Sequence, residues 1–308
     1  MTQAIHFETG DGRRFLGRLD GTTITTAGEA PATGFAATPE AWAEIVAANG
    51  ATHEIGDVHV LAPNRPGKIL AIGLNYMSHV EETNLAKPDV PMMFGKFPSS
   101  VTGAFDDIVI PREETRPDYE GELGVFISKP AYRVSVEEAW DYVGGFTVLN
   151  DVSGRRAQLE TPMKQFTLGK SFDTFTPVGP AVVSMDSFAD AECRDNLPVR
   201  TTLSGEVMQD GNTKQFIFTI PEIVSYLSQG VTLEPGDLIA TGTPGGVGDE
   251  RKPRATCATA TSSRSRSPAS ARSRTPCASR RRRPWRSSPR ATRTTSTAGA
   301  SPARCSSR

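Results

Sequence analysis

The stretch PDYEGELGV, Pro117 to Val125, decides how this chain is read. Its pattern is extended, and it sets Glu120 and Glu122 two residues apart, which places both carboxylates on one face of a strand. Two like charges on one face repel, and burying either one is costly unless a cation or hydrogen-bond donors compensate. A divalent metal is the simplest compensation. A lone Glu-x-Glu is also the pattern of a solvated strand face, so the surrounding sequence has to decide.

Downstream, GFTVLNDVS reads as a strand that delivers Asp151 at its end, 29 residues after Glu122. Between them SVEEAW, Ser135 to Trp140, carries a capping-box pattern, which predicts a helix of about two turns ending at Gly144-Gly145. The chain can thus leave and return beside its starting strand. Three carboxylates with no thiolate or histidine nearby in sequence make an all-oxygen set, suited to Mg²⁺ or Mn²⁺. Zinc would want His or Cys.

Upstream, KILAIGLNY is an apolar strand that empties into MSHVEETNLAKPDVP, a loop or short helix. His79 and Glu82 lie three apart there. On a helical turn they face one another, and a carboxylate holding an imidazole is the usual way to orient a general base. A surface His-Glu pair has the same spacing. Lys170 follows Gly169, which permits close backbone approach, although an ordinary solvated lysine reads the same. TGTPGGVG, Thr241 to Gly248, is Gly-rich but lacks the Lys-Ser/Thr ending and following helix of a nucleotide-binding P-loop.

Residues 1–65 form a small β-rich unit. IHFETGDGRRFLGRL holds Asp-Gly between alternating runs, a hairpin signal. TPEAWAEIVAANG is a short helix with Thr38 as cap, Pro39 in the first turn and Gly50 at the exit. A Pro/Gly cluster marks a boundary near residue 65. VRTTLSGEVMQDGN is a strand pair around Ser204-Gly205, and IPEIVSYLSQG a helix. Many short strands with few short helices predict a β-rich α+β fold. No stretch approaches the ~20 apolar residues of a membrane span. The polar opening MTQAIHFETGDGRR makes the cytoplasm the expected location.

Taken together, these runs resemble the fumarylacetoacetate hydrolase family over about Pro66 to Pro253. The resemblance is carried by LNYMSHVEE, FGKFPSSV, DYEGELGV, FTVLNDVSGR with Gln158, LGKSFDTFTPVGP, GEVMQDGNT and PGDLIATGTPGGVG, all in order. It implies a mixed β-roll catalytic domain over 66–253, a homodimer and a Mg²⁺ or Mn²⁺ ion. It implies that Glu120, Glu122 and Asp151 are the metal ligands, and that His79 and Glu82 belong to a lid over the substrate. It makes Lys170 the active-site lysine and places Lys96, Arg155, Gln158 and Thr243 around the pocket. The implied activity is hydrolysis, decarboxylation or isomerisation of a 2-oxo acid such as an acylpyruvate, oxaloacetate or a 2-hydroxymuconate-type acid. A hydratase or lyase on a related oxo acid is the alternative within that class. Arg156 departs from the family, which commonly has Asp there, and this bears on pocket polarity.

The last 58 residues read differently. The chain has 34 Lys and Arg against 35 Asp and Glu, yet every acid lies at or before Glu250 and 16 of the basic residues lie after it. Cys257, Cys277 and Cys305 are there too, leaving Cys193 alone in the body, as expected in a reducing compartment. The resemblance calls for two further strands after Gly248, but the chain reads RATCATATSSRSRSPASARSRTPCASRRRRPW. Codons can be chosen for Ala255 to Ala271 that, read from the third base, give YLRDGDVVEVEIAGIG, a turn and a period-two strand. A reading-frame shift near Arg254 explains this. The competing reading is a disordered basic tail, with Arg280 to Arg283 contacting nucleic acid nonspecifically on a folding-impaired, inactive product. Both readings predict disorder from about Lys252 to Arg308.

Overall fold

The computed structural model describes residues 1–188, 190–255, 263–266 and 277–279. The elements used below are, in chain order, β1 (Gln3–Glu8), β2 (Arg14–Asp20), β3 (Thr23–Glu29), α1 (Pro39–Val46), β4 (Thr52–Glu54), β5 (Ile69–Gly73), α2 (Met77–Thr83), β6 (Met92–Lys96), β7 (Ile108–Ile110), β8 (Gly121–Ile127) and β9 (Val143–Asn150). They continue with α3 (Arg155–Leu159), α4 (Phe166–Gly169), β10 (Ala181–Ser184), β11 (Pro198–Leu203), β12 (Glu206–Asn212), α5 (Ile220–Ser228), β13 (Leu238–Ala240), β14 (Ser263–Arg266) and β15 (Cys277–Ser279). The fold is β-rich α+β.

Among the described residues the main sheet has 13 strands, with a continuous path β4-β3-β2-β1-β10-β9-β8-β13-β5-β6. Its two central strands, β8 and β9, are buried along their whole length. Alternation divides their side chains between two cores. Leu123, Val125 and Ile127 face a cluster built with Ile223, Val224 and Leu227 of α5. Phe126 and Leu149 face a second cluster with Phe35 and Ile45. Burial of this kind stabilises by about 1.5–3 kcal/mol per large apolar side chain, so the site at the end of β8 and β9 stands on two fully buried strands.

The hairpin read around Asp11-Gly12 is β1 and β2, paired antiparallel from Ala4↔Arg18 to Glu8↔Arg14. Residues 1–65 join the rest through β1, which pairs with β10. The strand pair around Ser204-Gly205 is β11 and β12, with both turn residues at positive φ. Thr38 caps α1 by accepting from Ala41 N.

Three local expectations fail. Gly50 is not the exit of α1, which ends at Val46. Gly50 instead lies against β3, donating its N–H to Thr26 O at 2.9 Å, where a Cβ would come within 2.8 Å of that oxygen. The SVEEAW helix is a short 3₁₀ turn, Ala139–Tyr142. The capping contacts form, Ser135 Oγ donating to Glu138 at 2.8 Å, but the segment closes as a 3₁₀ turn and Val143 then pairs with Ile127, so the helix does not run on to Gly144. Disorder from Lys252 onward also fails for the described part. Ala255 N donates to Gly248 O at 3.0 Å, β14 pairs antiparallel with β11, and β15 pairs parallel with β7. The rest of that expectation, including the Arg280–Arg283 polyanion contact, lies outside the described residues. No described helix is long and apolar enough to cross a membrane.

Candidate active site

Glu120 immediately precedes β8, Glu122 is its second residue and Asp151 follows β9. Antiparallel pairing sets Gly121 opposite Asn150, and Asp151 N donates to Glu120 O at 2.8 Å. The three carboxylates are all buried, and one oxygen from each lies within 4.8 Å of the others. The period-two spacing therefore does what the sequence suggested, and the returning strand supplies the third group.

Cations surround them. Lys170, which closes α4, donates from Nζ to Glu120 Oε2 at 2.6 Å and Asp151 Oδ2 at 2.7 Å. Lys96, at the end of β6, donates to Asp151 Oδ1 at 2.5 Å, to Phe175 O at 3.1 Å and to Lys170 O. The resemblance placed Lys96 on the pocket wall. Its ammonium is fully enclosed behind the carboxylates, and it is not among the residues lining the cavity. Arg155 opens α3 and clamps two acids at once, Asp118 at 2.8 and 3.0 Å and Glu120 at 2.7 Å, while also donating to Gln158 Oε1 at 2.9 Å.

Charge does not balance in this cluster. Four buried carboxylates (Asp118, Glu120, Glu122, Asp151) meet three buried cations (Lys96, Arg155, Lys170). The excess shows on Glu122. Burial first, then the charges of Asp151 and Glu120, hold its carboxyl well above the ordinary range. Burial also pushes Glu120 up, but Lys170, Arg155 and His79 overcome it and hold that carboxyl below the ordinary range. An all-oxygen donor set one positive charge short fits a hard divalent cation. Glu120, Glu122 and Asp151 would hold it.

His79 lies on α2, and its Nδ1 donates to Glu82 Oε1 at 2.6 Å. The second oxygen of Glu82 accepts from Gly246 N at 2.7 Å, and Ser78 Oγ accepts from Gly245 N at 3.1 Å. The Gly-rich loop thus anchors this helix. It also donates from Gly242 N to Glu122 at 2.9 Å and from Gly248 N to Asp118 at 2.8 Å. Its anions are the protein's own carboxylates, not a nucleotide phosphate. Thr243 donates to Gly121 O at 3.0 Å and accepts from Gln209 Nε2 at 2.7 Å.

A cavity of about 250 Å³ opens above the carboxylates and is lined by His79, Glu120, Glu122, Arg155, Gln158, Lys170 and Thr243. Arg156 points away. It is exposed and donates to Glu113 O at 2.6 Å, so its departure from the family does not touch the cavity.

Sequence reading missed Asp118, although it sits in the same alternating run as Glu120 and Glu122. It also missed Glu114, whose carboxylate accepts from Arg156 N at 3.2 Å and Ala157 N at 3.1 Å. Glu114 caps α3 from outside and so orients Arg155 and Gln158. Gln209, which accepts from Gly121 N at 3.0 Å, gave no signal within its own run.

A β-rich sheet gathers three buried carboxylates, two of which line an open cavity, and this defines a candidate carboxylate metal site. The family model described as fumarylacetoacetate (FAA) hydrolase C-terminal matches residues 68–267, and the chain belongs to the fumarylacetoacetate hydrolase family. A fumarylacetoacetate hydrolase domain-containing protein 2 homolog of Dictyostelium discoideum is 47% identical over 207 residues, covering 65% of this chain and 67% of that protein. A mitochondrial oxaloacetate tautomerase of Homo sapiens is 45% identical over 198 residues, covering 64% of this chain and 62% of that protein. The chain thus spans about two thirds or less of the curated relatives it matches. Among solved structures, a fumarylacetoacetate hydrolase from Exiguobacterium antarcticum superposes with TM-score 0.75 at 29% identity, covering 91% of this chain and 100% of that one. A 2-hydroxyhepta-2,4-diene-1,7-dioate isomerase from Mycobacterium marinum gives 0.70 at 26%, covering 91% and 99%.

Proposed function

We propose that this chain is a Mg²⁺- or Mn²⁺-dependent enzyme that interconverts keto and enol forms of a 2-oxo acid, with hydrolysis or decarboxylation at the neighbouring C–C bond as further outcomes of the same site. The observation that carries this reading is that His79, held by Glu82, lines the same cavity as Glu120 and Glu122. Relatives named as a tautomerase and an isomerase support it. We also propose a homodimer, and a division into a small N-terminal β domain (1–65) and a catalytic domain (66–253).

A divalent ion, when bound, supplies Lewis-acid polarisation of the keto oxygen. The chain's own groups do the rest. Tautomerisation moves one proton from the carbon beside the keto group to the keto oxygen, with no net change in atoms and no oxidant. With Nδ1–H donated to Glu82, His79 keeps Nε2 as the basic nitrogen that takes the carbon-bound proton. Lys170, pinned between Glu120 and Asp151, places fixed positive charge where negative charge develops. Gln158 has its carbonyl engaged by Arg155, leaving its NH₂ to donate toward the substrate. For C–C hydrolysis the same histidine takes a proton from water. The hydroxyl then joins the distal carbonyl carbon, the C–C bond breaks, and the carbon left behind is protonated.

The test follows loss of the enol absorbance of oxaloacetate and acylpyruvates, with Mg²⁺ or Mn²⁺ and with chelator. Turnover should require added metal. His79→Ala should lower it by about 10²–10⁴-fold while metal still binds, as read by calorimetry. Undiminished turnover in chelator, or in His79→Ala, would refute the reading.

A further inference from the structure

We infer that the substrate carries an apolar substituent beyond its 2-oxo acid end, and not a second carboxylate. This rests on the proposed function and concerns the apolar lining of the same cavity. Besides the charged cluster, the cavity is lined by Leu74, Leu85, Met92, Phe94, Leu159 and Phe166. The wall begins directly at the cluster. The Lys170 ammonium stands 5.1 Å from the Phe94 ring centre, and the Phe94 and Phe166 rings are 6.0 Å apart. A substituent leaving the reacting carbons along this lining meets aromatic and aliphatic surface from its first atoms.

A second carboxylate there would need a cation. Arg155 and Lys170 already hold Asp118, Glu120 and Asp151. Lys164 is the other lining cation among the described residues, and it is exposed on the rim. Asp249 and Glu250 line the same cavity, and Asp249 occupies its own cation, Arg116, at 2.6 Å. Apart from the groups already paired in the cluster, the cavity lining therefore offers hydrocarbon surface and two further acids against one solvated lysine. An anionic end placed there would be desolvated without a partner, whereas each methylene placed there gains about 0.8 kcal/mol.

The experiment measures kcat/KM of the full chain, loaded with Mg²⁺, on acetyl-, butanoyl- and hexanoylpyruvate, on oxaloacetate, and on a 2,4-dioxo dioate of the same length as hexanoylpyruvate. The expected result is a rise of about fourfold per added methylene and preference for hexanoylpyruvate over the matched dioate by at least tenfold. Leu85→Lys, at a half-exposed position on the cavity wall, should narrow that preference by about tenfold. A flat series, or equal or better turnover of oxaloacetate or the dioate, would overturn the inference and leave the proposed function standing. Silence on every 2-oxo acid by folded, metal-loaded protein would overturn both.

Discussion

Lys96→Met separates a lysine that touches substrate from one that holds the floor of the site. Its ammonium has no exposed surface and three acceptors, the Asp151 carboxylate and the carbonyls of Lys170 and Phe175. Burial lowers its pKa, and the Asp151 charge opposes that fall. Methionine matches the shape but donates nothing. Two buried carbonyls lose a donor and Asp151 loses one of two cations. Removing one partner of a buried pair costs about 3–5 kcal/mol, a large share of the roughly 5–15 kcal/mol that holds a domain folded. In urea unfolding at neutral pH without metal, the midpoint should fall by roughly 1–2 M. Mg²⁺ should recover part of the loss, because it binds the folded form and gives Asp151 another counter-charge. A midpoint shift below about 0.3 M, together with a raised KM, would refute the reasoning and return Lys96 to the pocket wall.

Other outcomes follow from the same charges. Glu122 keeps its proton more readily when folded than when unfolded, so the apo protein should lose stability as pH rises from the ordinary carboxylate range through the raised folded value. Glu122→Gln should therefore stabilise the apo protein at neutral pH by about 0.5–2 kcal/mol while abolishing metal binding; a destabilised Gln variant would contradict the charge argument. Metal must displace that proton, so calorimetry in buffers of different ionisation enthalpy should show proton release on Mg²⁺ binding, with affinity rising with pH. Arg156→Ala should change stability by no more than about 0.5 kcal/mol and leave KM unaltered, as steady-state kinetics would show. For the last 58 residues we propose the frame shift. β14 covers the last four of the six positions to which the shifted reading assigns VVEVEI, and it pairs with β11, whose Leu203 belongs to a cluster with Tyr119 and Met208. The frame-restored chain should melt higher by several degrees, and an equal or lower melting temperature would count against it.

What the sequence disclosed was periodic or local. Glu120 and Glu122 share a face because strands have period two, and Asp151 could be placed because a helix-length gap lets the chain return. Thr38 and the Ser204-Gly205 turn announce themselves within four residues. Asp118 shares the run of Glu120 and Glu122 but stayed unassigned, because the Arg155 that holds it lies 37 residues further along the chain. Glu114 and Gln209 act across 42 and 88 residues of chain, on Arg156 and Gly121, and no local pattern records such a reach. SVEEAW shows the opposite failure. Its local signal was correct, and the pairing of Val143 with Ile127 overrode it. Lys96 was assigned to the right neighbourhood but the wrong side of it, because a motif carries no depth.

The Gly-rich loop holds Glu122, Glu82 and Asp118 through main-chain N–H groups alone. Side-chain replacement elsewhere can delete a lysine or a threonine, but no substitution short of proline deletes a peptide N–H. The fastening between the carboxylate floor and the histidine helix is nonetheless intolerant of added side chains as well as of altered spacing, because a Cβ at Gly242, Gly246 or Gly248 would run into neighbouring atoms. Gly246, at φ 106° with Met208 O only 2.1 Å from where a Cβ would stand, marks how little slack there is. A one-residue insertion in this loop would put three carboxylates out of register at once, so the loop's length and its donor glycines are required together.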